Sequence, residues 1–227
     1  MFITLEGGEG TGKSTQALRL RRRLLTAGYT ARLTREPGGT PLANGIRALL
    51  LHPDASLRAL AAAHLAEDAA AEPMLPMTEL LLLSAARSQH VARIRGWLAA
   101  GEVVVSDRFA DATRVYQGTG RGLDDTTIAT AERLATGGLR PDLTLLFDLP
   151  VEEGQLRRQR AGQSGAEWNR LDAETQAFHT RVRQGYLALA AAEQPRWVVV
   201  DAGAPEDVVE LAVWAVVQDR LRSAGTP

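Results

Sequence analysis

"GGEGTGKS", residues 7–14, is the stretch on which the fold of this chain turns. It satisfies the pattern GxxxxGK[ST], and with glycine near its average usage such a match arises by chance in roughly one chain in a hundred of this length. Its flanks narrow the reading further. Upstream, "MFITLE" at 1–6 is an apolar run of strand type, and downstream "STQALRLRRRLLTAG" at 14–28 has helical spacing and ends on Gly28. Strand, glycine loop and helix in that order form the setting in which this motif binds phosphate. Gly7, Gly10 and Gly12 let successive backbone amides aim at one anion, and the following helix adds its positive end. Gly7, Gly8, Glu9, Gly10, Thr11, Gly12, Lys13, Ser14 and Thr15 are therefore read as a nucleoside triphosphate cradle. In it Lys13 is a point charge for the β- and γ-phosphates, and the Ser14 hydroxyl a ligand for Mg²⁺. Lys13 is the only lysine among 26 basic residues. A planar guanidinium is larger and directional, and fits poorly inside a closed ring of amides.

Further short apolar runs follow at 31–34, 102–106, 143–148 and 197–201, with helical patterns at about 13–27, 41–51, 77–99, 125–138, 151–161, 172–194 and 205–222. Strands so continuously apolar are expected where helices cover both faces of a parallel sheet. The expectation is an α/β, three-layer P-loop NTPase fold with a five-stranded parallel sheet flanked by helices, in one domain spanning 1–227. Ligands in such folds collect at the carboxyl ends of the strands. The alanine-rich stretch of about 52–76 has no strand pattern and reads as a helical surface excursion.

Composition excludes several classes. A net charge of −1 argues against a protein that holds nucleic acid or an anionic membrane through overall charge. The absence of cysteine excludes disulfides, thiolate catalysis and sulfur-ligated metals. None of the four histidines sits in a metal-ligand pattern. No leader pattern is visible and no apolar run approaches the roughly 20 residues of a membrane helix, so a cytoplasmic protein is expected.

A second site must decide which NTP enzyme this is. In the 77–99 helix, Leu80, Leu83, Arg87, Val91, Ile94 and Leu98 share one face, so Arg87 stands in an apolar stripe. A buried arginine needs an anionic partner, either a protein carboxylate or a ligand phosphate, and Leu83, one turn earlier, lines the same pocket. After the strand at 102–106 comes Asp107-Arg108-Phe109, at the ligand end of the sheet. Asp107 is placed to hold the Mg²⁺ shell and Arg108 to bridge donor and acceptor phosphates, unless the two simply pair with each other.

"TREPGGT" at 34–40, "DRFADATRVYQG" at 107–118, "RPDLTLLFD" at 140–148 and "NRLD" at 169–172, taken with the P-loop, resemble the bacterial thymidylate kinase family over nearly the whole chain. The resemblance implies phosphoryl transfer from ATP·Mg²⁺ to dTMP, giving ADP and dTDP, by a homodimer built through helices. It implies that Glu9 lies near the acceptor sugar and metal shell, and that Arg47, Arg87 and Arg108 form the acceptor pocket, with Arg87 at the base. A base carbonyl thus joins phosphate and carboxylate as a partner for Arg87. Thr113, Tyr116 and Gln117 match the end of the pocket that reads thymine and sugar. Glu36 and Pro37 belong to the loop shaping the acceptor phosphate site, and Pro37 permits a cis peptide bond before it. Two departures stand out: Leu83 where the family commonly has an aromatic ring, and Ala112-Thr113-Arg114 where it often has paired hydroxyl residues.

Gly10 occupies the place where some members carry an arginine, a pattern resembling the class that supplies this charge from the lid, here at about 157–171. Its candidates are Arg157, Arg158, Arg160 and Arg170. At about 100° per residue Arg157 and Arg160 share a face and Arg158 points elsewhere; Arg160 is favoured, then Arg158. Gly162 to Gly165 offer hinge freedom, and Asp172 ties the closed lid to the acceptor side. Two other readings remain to be separated by experiment: a related nucleoside or nucleotide kinase with a different base preference, and a P-loop switch that transfers little phosphate.

Overall fold

The computed structural model describes residues 1–63, 73–165 and 168–223. Residues 64–72 of the expected excursion and 166–167 of the expected lid lie outside the described residues. The sheet is five-stranded and parallel, in the order β2-β3-β1-β4-β5, with β1 Phe2–Gly7, β2 Ala31–Arg35, β3 Val103–Asp107, β4 Leu143–Asp148 and β5 Trp197–Asp201. The helices are α1 Lys13–Thr26, α2 Pro41–Leu51, α3 Pro53–Ala62, α4 Pro76–Ala99, α5 Ala110–Thr113, α6 Asp125–Thr136, α7 Val151–Gln163, α8 Gln176–Ala192 and α9 Glu206–Ser223. A π-helical segment, Arg114–Gly120, continues α5.

Side chains alternate across each strand, and that period builds both outer layers. Ile3, Leu5, Val103, Val105, Leu143, Leu145 and Phe147 face Leu20 and Leu24 of α1 and Val213, Val217 and Leu221 of α9. On the opposite face Phe2 and Val104 meet Val91 and Ile94 of α4, and Leu146 meets Val182 and Tyr186 of α8. Glu6 falls on this second face, fully buried. Coverage is incomplete at the edges: Val199 on β5 is 51 % exposed, since an edge strand has only one neighbour over which helices can extend.

Helix limits follow from capping. The Thr40 hydroxyl accepts from the Ala43 N–H at 3.1 Å to start α2, and Asp124 accepts from Thr127 N–H at 2.9 Å to start α6. Thr175 caps α8 by accepting from Phe178 N–H at 3.2 Å, so that helix begins at Gln176 and not at the expected 172. The preceding residues instead turn around Asp172. The region after β3 is more helical than its sequence suggests: α5 and the π segment bury Val115, Tyr116 and Gln117. A π turn of this kind recurs at functional sites.

Because β1 is paired to β3 on one side and β4 on the other, the chain reverses its direction of winding about β1. The crevice of such a fold opens at that point, above the carboxyl ends, and residues 7–14 lie there.

Candidate active site

The P-loop leaves β1 and enters α1 through Gly12, whose φ of 84° is left-handed. Gly10, at φ 73°, runs against the first turns of α7, and a Cβ there would lie 2.0 Å from the Gly154 carbonyl oxygen. No side chain fits at Gly10 in this packing, an arginine included. Lys13 Nζ donates to the Gly8 carbonyl at 2.6 Å and to Thr11 Oγ1 at 3.2 Å. Burial, and then repulsion from Arg108, push the Lys13 amine down to about 8, against the pull of Glu9, Asp107 and Glu6. The Ser14 hydroxyl donates to the Asp107 carboxylate. The cleft above the loop has a volume of about 1220 Å³ and is walled also by Glu36, Arg47, Asp107, Arg108, Arg157 and Arg158.

Asp107 and Arg108 do not pair with each other. Arg108 stands at φ 72°, the only residue other than glycine with a positive φ among the described residues, a conformation that costs of order 1 kcal/mol and is kept where the surroundings fix it. Here the Arg108 N–H donates to the Leu5 carbonyl at 3.0 Å, Ser106 Oγ donates to the Arg108 carbonyl at 2.8 Å, and the next N–H, of Phe109, donates to Glu6 at 2.8 Å. The guanidinium then donates to the Gly7 carbonyl and the Tyr186 hydroxyl at 3.0 Å each through Nη1. Through Nη2 it reaches Glu9 at 2.7 Å and the Tyr116 hydroxyl at 3.0 Å. Burial would raise Glu9, but Arg108, Lys13 and the Tyr116 hydroxyl outweigh it and hold the carboxyl at about 2. Glu6 is the opposite case: burial, only partly offset by Arg108, lifts it to about 8. Glu6 and Tyr186 were not among the sequence candidates; an acid ending an apolar strand was the available signal.

Beside Arg108 opens a smaller recess of about 110 Å³, lined among others by Glu36, Leu83, Arg87, Thr113, Tyr116 and Gln117. Glu9, Glu36, Arg47 and Arg108 belong to both this recess and the cleft. Arg87 is 2 % exposed and donates through Nε to Glu36 at 2.7 Å and through Nη2 to the Phe109 carbonyl at 3.3 Å. Its protein partner is thus a carboxylate, and Nη1 has no partner. The hydroxyl of Thr113, also buried, has none either. Glu36 orients more than it exposes: besides Arg87 it pairs with His90 Nδ1 at 3.0 Å, while His90 Nε2 is 2.6 Å from Thr34 Oγ1. The Arg87 guanidinium, together with the His90 hydrogen bond, overcomes the effect of burial and holds Glu36 below the ordinary carboxylate range. The Glu36–Pro37 peptide is cis, and Arg47 donates to the Pro37 carbonyl at 2.9 Å.

On the lid side, Arg158 and not Arg160 lines the cleft; Arg160 is exposed near the end of α7. The favoured Arg160 thus stands outside the lining of the cleft here: helical spacing relates the arginines to one another but not to the cleft, and α7 turns Arg157 and Arg158 toward it. Arg158 donates to both oxygens of Asp172 at 2.7 Å, and Asp172 also accepts from Asn169. Arg157 turns to the Ala202 carbonyl at 2.8 Å and Glu153 at 2.5 Å. Arg170 is docked away from the cleft onto Glu79 at 2.7 Å.

A family model described as thymidylate kinase matches residues 5–213. A thymidylate kinase of Thermomicrobium roseum is 48% identical over 222 residues, 97% of this chain and 96% of that protein. One of Desulfosudis oleivorans is 51% identical over 209 residues, 90% of each. The crystal structure of a thymidylate kinase from Ehrlichia chaffeensis superposes with a TM-score of 0.70 at 29% identity, covering 96% of this chain and 98% of that one.

Proposed function

The chain belongs to the thymidylate kinase family, and from that premise we propose how its own side chains divide the work. It transfers the γ-phosphoryl group of ATP to dTMP, giving dTDP and ADP. The residue assignment is carried by one observation, the pair of buried polar atoms without protein partners, Arg87 Nη1 and Thr113 Oγ1, in the recess beside Arg108. Thymine matches them. Its C4 carbonyl accepts from a guanidinium, and the ring N–H and C2 carbonyl suit a hydroxyl that both donates and accepts. Cytosine would turn an amino group toward Arg87, leaving donors face to face, a mismatch that sites of this kind reject strongly. Leu83 supplies aliphatic packing where other members stack a ring.

On the donor side, the P-loop amides and the positive end of α1 receive the triphosphate, and Lys13 follows its outer phosphates. Ser14 and Asp107 fit the Mg²⁺ that accompanies ATP. They are two oxygens in contact, and the described residues hold no cluster of three or more acidic, His or Cys ligands, the donor set of a hydrated ion shared with phosphates. Held there, it would supply positive charge to offset the charge that develops on the transferring phosphates.

Arg108 and Arg47 take the acceptor phosphate at the junction of cleft and recess, with Glu9 toward the sugar. Tyr116 closes on the same carboxylate at 2.9 Å. Phosphoryl transfer asks little covalent chemistry of a protein; alignment, water exclusion and charge neutralisation suffice. Arg158 is the lid residue assigned to that charge, released from Asp172 to the phosphates as the lid closes, and Arg160 is left outside the chemistry.

We also infer a single domain over 1–227 with its lid at about 157–171, cytoplasmic placement, and a homodimer. The exposed leucines Leu81 of α4 and Leu134 of α6, on helices packed together, support a helical interface. No helix among the described residues is long and apolar enough to cross a membrane. Steady-state kinetics of Thr113→Val test the residue assignment: the KM for dTMP is expected to rise severalfold with the KM for ATP unchanged, and equal rises in both would remove Thr113 from the acceptor site.

A further inference from the structure

One buried carboxylate beside the acceptor recess has no part in the assignments above. Glu79 lies in the first turn of α4, 2 % exposed, one turn before Leu83 and two before Arg87. A buried carboxylate persists only when it is paired and hydrogen-bonded, and the partners of Glu79 come from separate parts of the site. Its Oε1 accepts from Gln117 Nε2 at 2.5 Å, and its Oε2 from Arg170 Nη2 at 2.7 Å, with Arg121 Nη2 at 3.5 Å. Gln117 and Arg170 both line the recess.

Arg170 is fixed at three further points. Its Nε donates to the Leu50 carbonyl at 3.1 Å, its backbone N–H to the Leu51 carbonyl at 3.2 Å, and its Nη2 is 4.0 Å from the Met74 sulfur. Downstream, Glu174 accepts from Arg121 at 2.6 Å, so the turn around Asp172 is fastened on both sides to groups that meet at Glu79. That turn carries the carboxylate that grips Arg158 of α7 through two hydrogen bonds of 2.7 Å. Gln117, Glu79, Arg170, Asp172 and Arg158 thus form a continuous path from the recess to the lid.

We propose that Glu79 is a positioning residue that couples occupancy of the acceptor recess to the lid arginine, through a carboxylate shared between Gln117 and Arg170. A nucleotide base that moves or fixes Gln117 alters the hold on Arg170 and, with it, the turn that presents Asp172 to Arg158. The inference rests on the reading of the recess as the dTMP site. A merely structural Glu79 would support α4 and the turn without linking the two ligands.

Glu79→Gln keeps the shape and removes the charge. Two readouts are taken on the whole enzyme: steady-state kinetics with each substrate varied, and deuterium exchange of the amides at 168–174 with and without dTMP. Losing one buried charge-assisted contact should raise the KM for dTMP about tenfold and lower kcat, leaving the KM for ATP within about twofold. Protection of the turn by dTMP should disappear. Arg170→Gln should do the same, and the double variant should be no worse than either single one, since both break one path. Kinetics within about twofold of wild type in either variant overturn the proposal. So do equal losses for both substrates with dTMP still protecting the turn, which assign Glu79 to the fold alone. If Glu79→Gln does not fold, Arg170→Gln carries the same expectations. Arg87→Ala, run in parallel, separates the two readings. Unchanged dTMP kinetics there reject the recess as acceptor site, whereas a selective loss there with normal Glu79 variants rejects only the coupling.

Discussion

ATP binding should weaken as pH rises through about 8, and Lys13 sets that point. In the free enzyme burial and the Arg108 guanidinium bring the amine down to about 8 from an ordinary 10.5. Bound phosphates favour the charged form, so binding raises this pKa and is linked to proton uptake. The sign follows directly. Below the free-state pKa the amine is already charged and affinity is flat; above it each unit costs up to a factor of ten until the bound-state pKa is reached. At about pH 9.5, roughly 1.5 units above the midpoint, about 3% of the free enzyme is charged, and affinity should have fallen about thirtyfold, or about 2 kcal/mol. The phosphates of ATP titrate well below this window, near pH 6, so the slope belongs to the protein. Calorimetric titration with a non-hydrolysable ATP analogue and Mg²⁺, from about pH 6.5 to 9.5 in buffers of different ionisation enthalpy, reads both the affinity and the protons taken up. Lys13→Arg should bind weakly at every pH and lose the slope, because a guanidinium does not titrate here. A flat wild-type profile, or an equal slope in Lys13→Arg, would refute the assignment.

Arg87→Ala should lower kcat/KM for dTMP by about a hundredfold or more, since it also strands the buried Glu36, with the KM for ATP little changed; substrate-varied kinetics check the split. Gly10→Ala should destabilise the fold by more than about 3 kcal/mol and abolish nucleotide binding, because its Cβ would meet the Gly154 carbonyl at 2.0 Å with φ at 73°; thermal melts with and without ATP test this. Arg158→Ala should cut the single-turnover rate by about a hundredfold or more, whereas Arg160→Ala should stay within about threefold. Reversal of that order would return the lid charge to Arg160.

The sheet was legible because its signals are local. Five apolar runs, a glycine loop and amphipathic spacing each announce an element, and their alternation allows few topologies. The P-loop also reported its own function, since strand, amides and helix end lie within a dozen residues. What escaped depends on contacts across the chain. Glu6 is visible as an acid at the end of an apolar strand, but its partners Phe109 and Tyr186 lie 103 and 180 residues away. Glu79 and His90 resemble ordinary polar positions of α4 until Gln117, Arg170 and Glu36 are folded against them. Helical spacing related the lid arginines to each other but not to the cleft, because the rotation of α7 is set by Gly154 packing on the P-loop. The helical run after Phe109 is decided by burial of Val115 and Tyr116 against α8, which outweighs modest local propensity.

ADP formation from ATP and Mg²⁺ with dTMP, dUMP, dCMP, dGMP, AMP and thymidine as alternative acceptors tests the central claim most directly. dTMP is expected to give the highest kcat/KM, with dUMP next because it keeps the C4 carbonyl, and dCMP far below because it presents an amino group to Arg87. A higher kcat/KM for dCMP or a purine nucleotide would contradict the base assignment, and ADP formation that no acceptor accelerates, while ATP still binds, would contradict phosphoryl transfer itself.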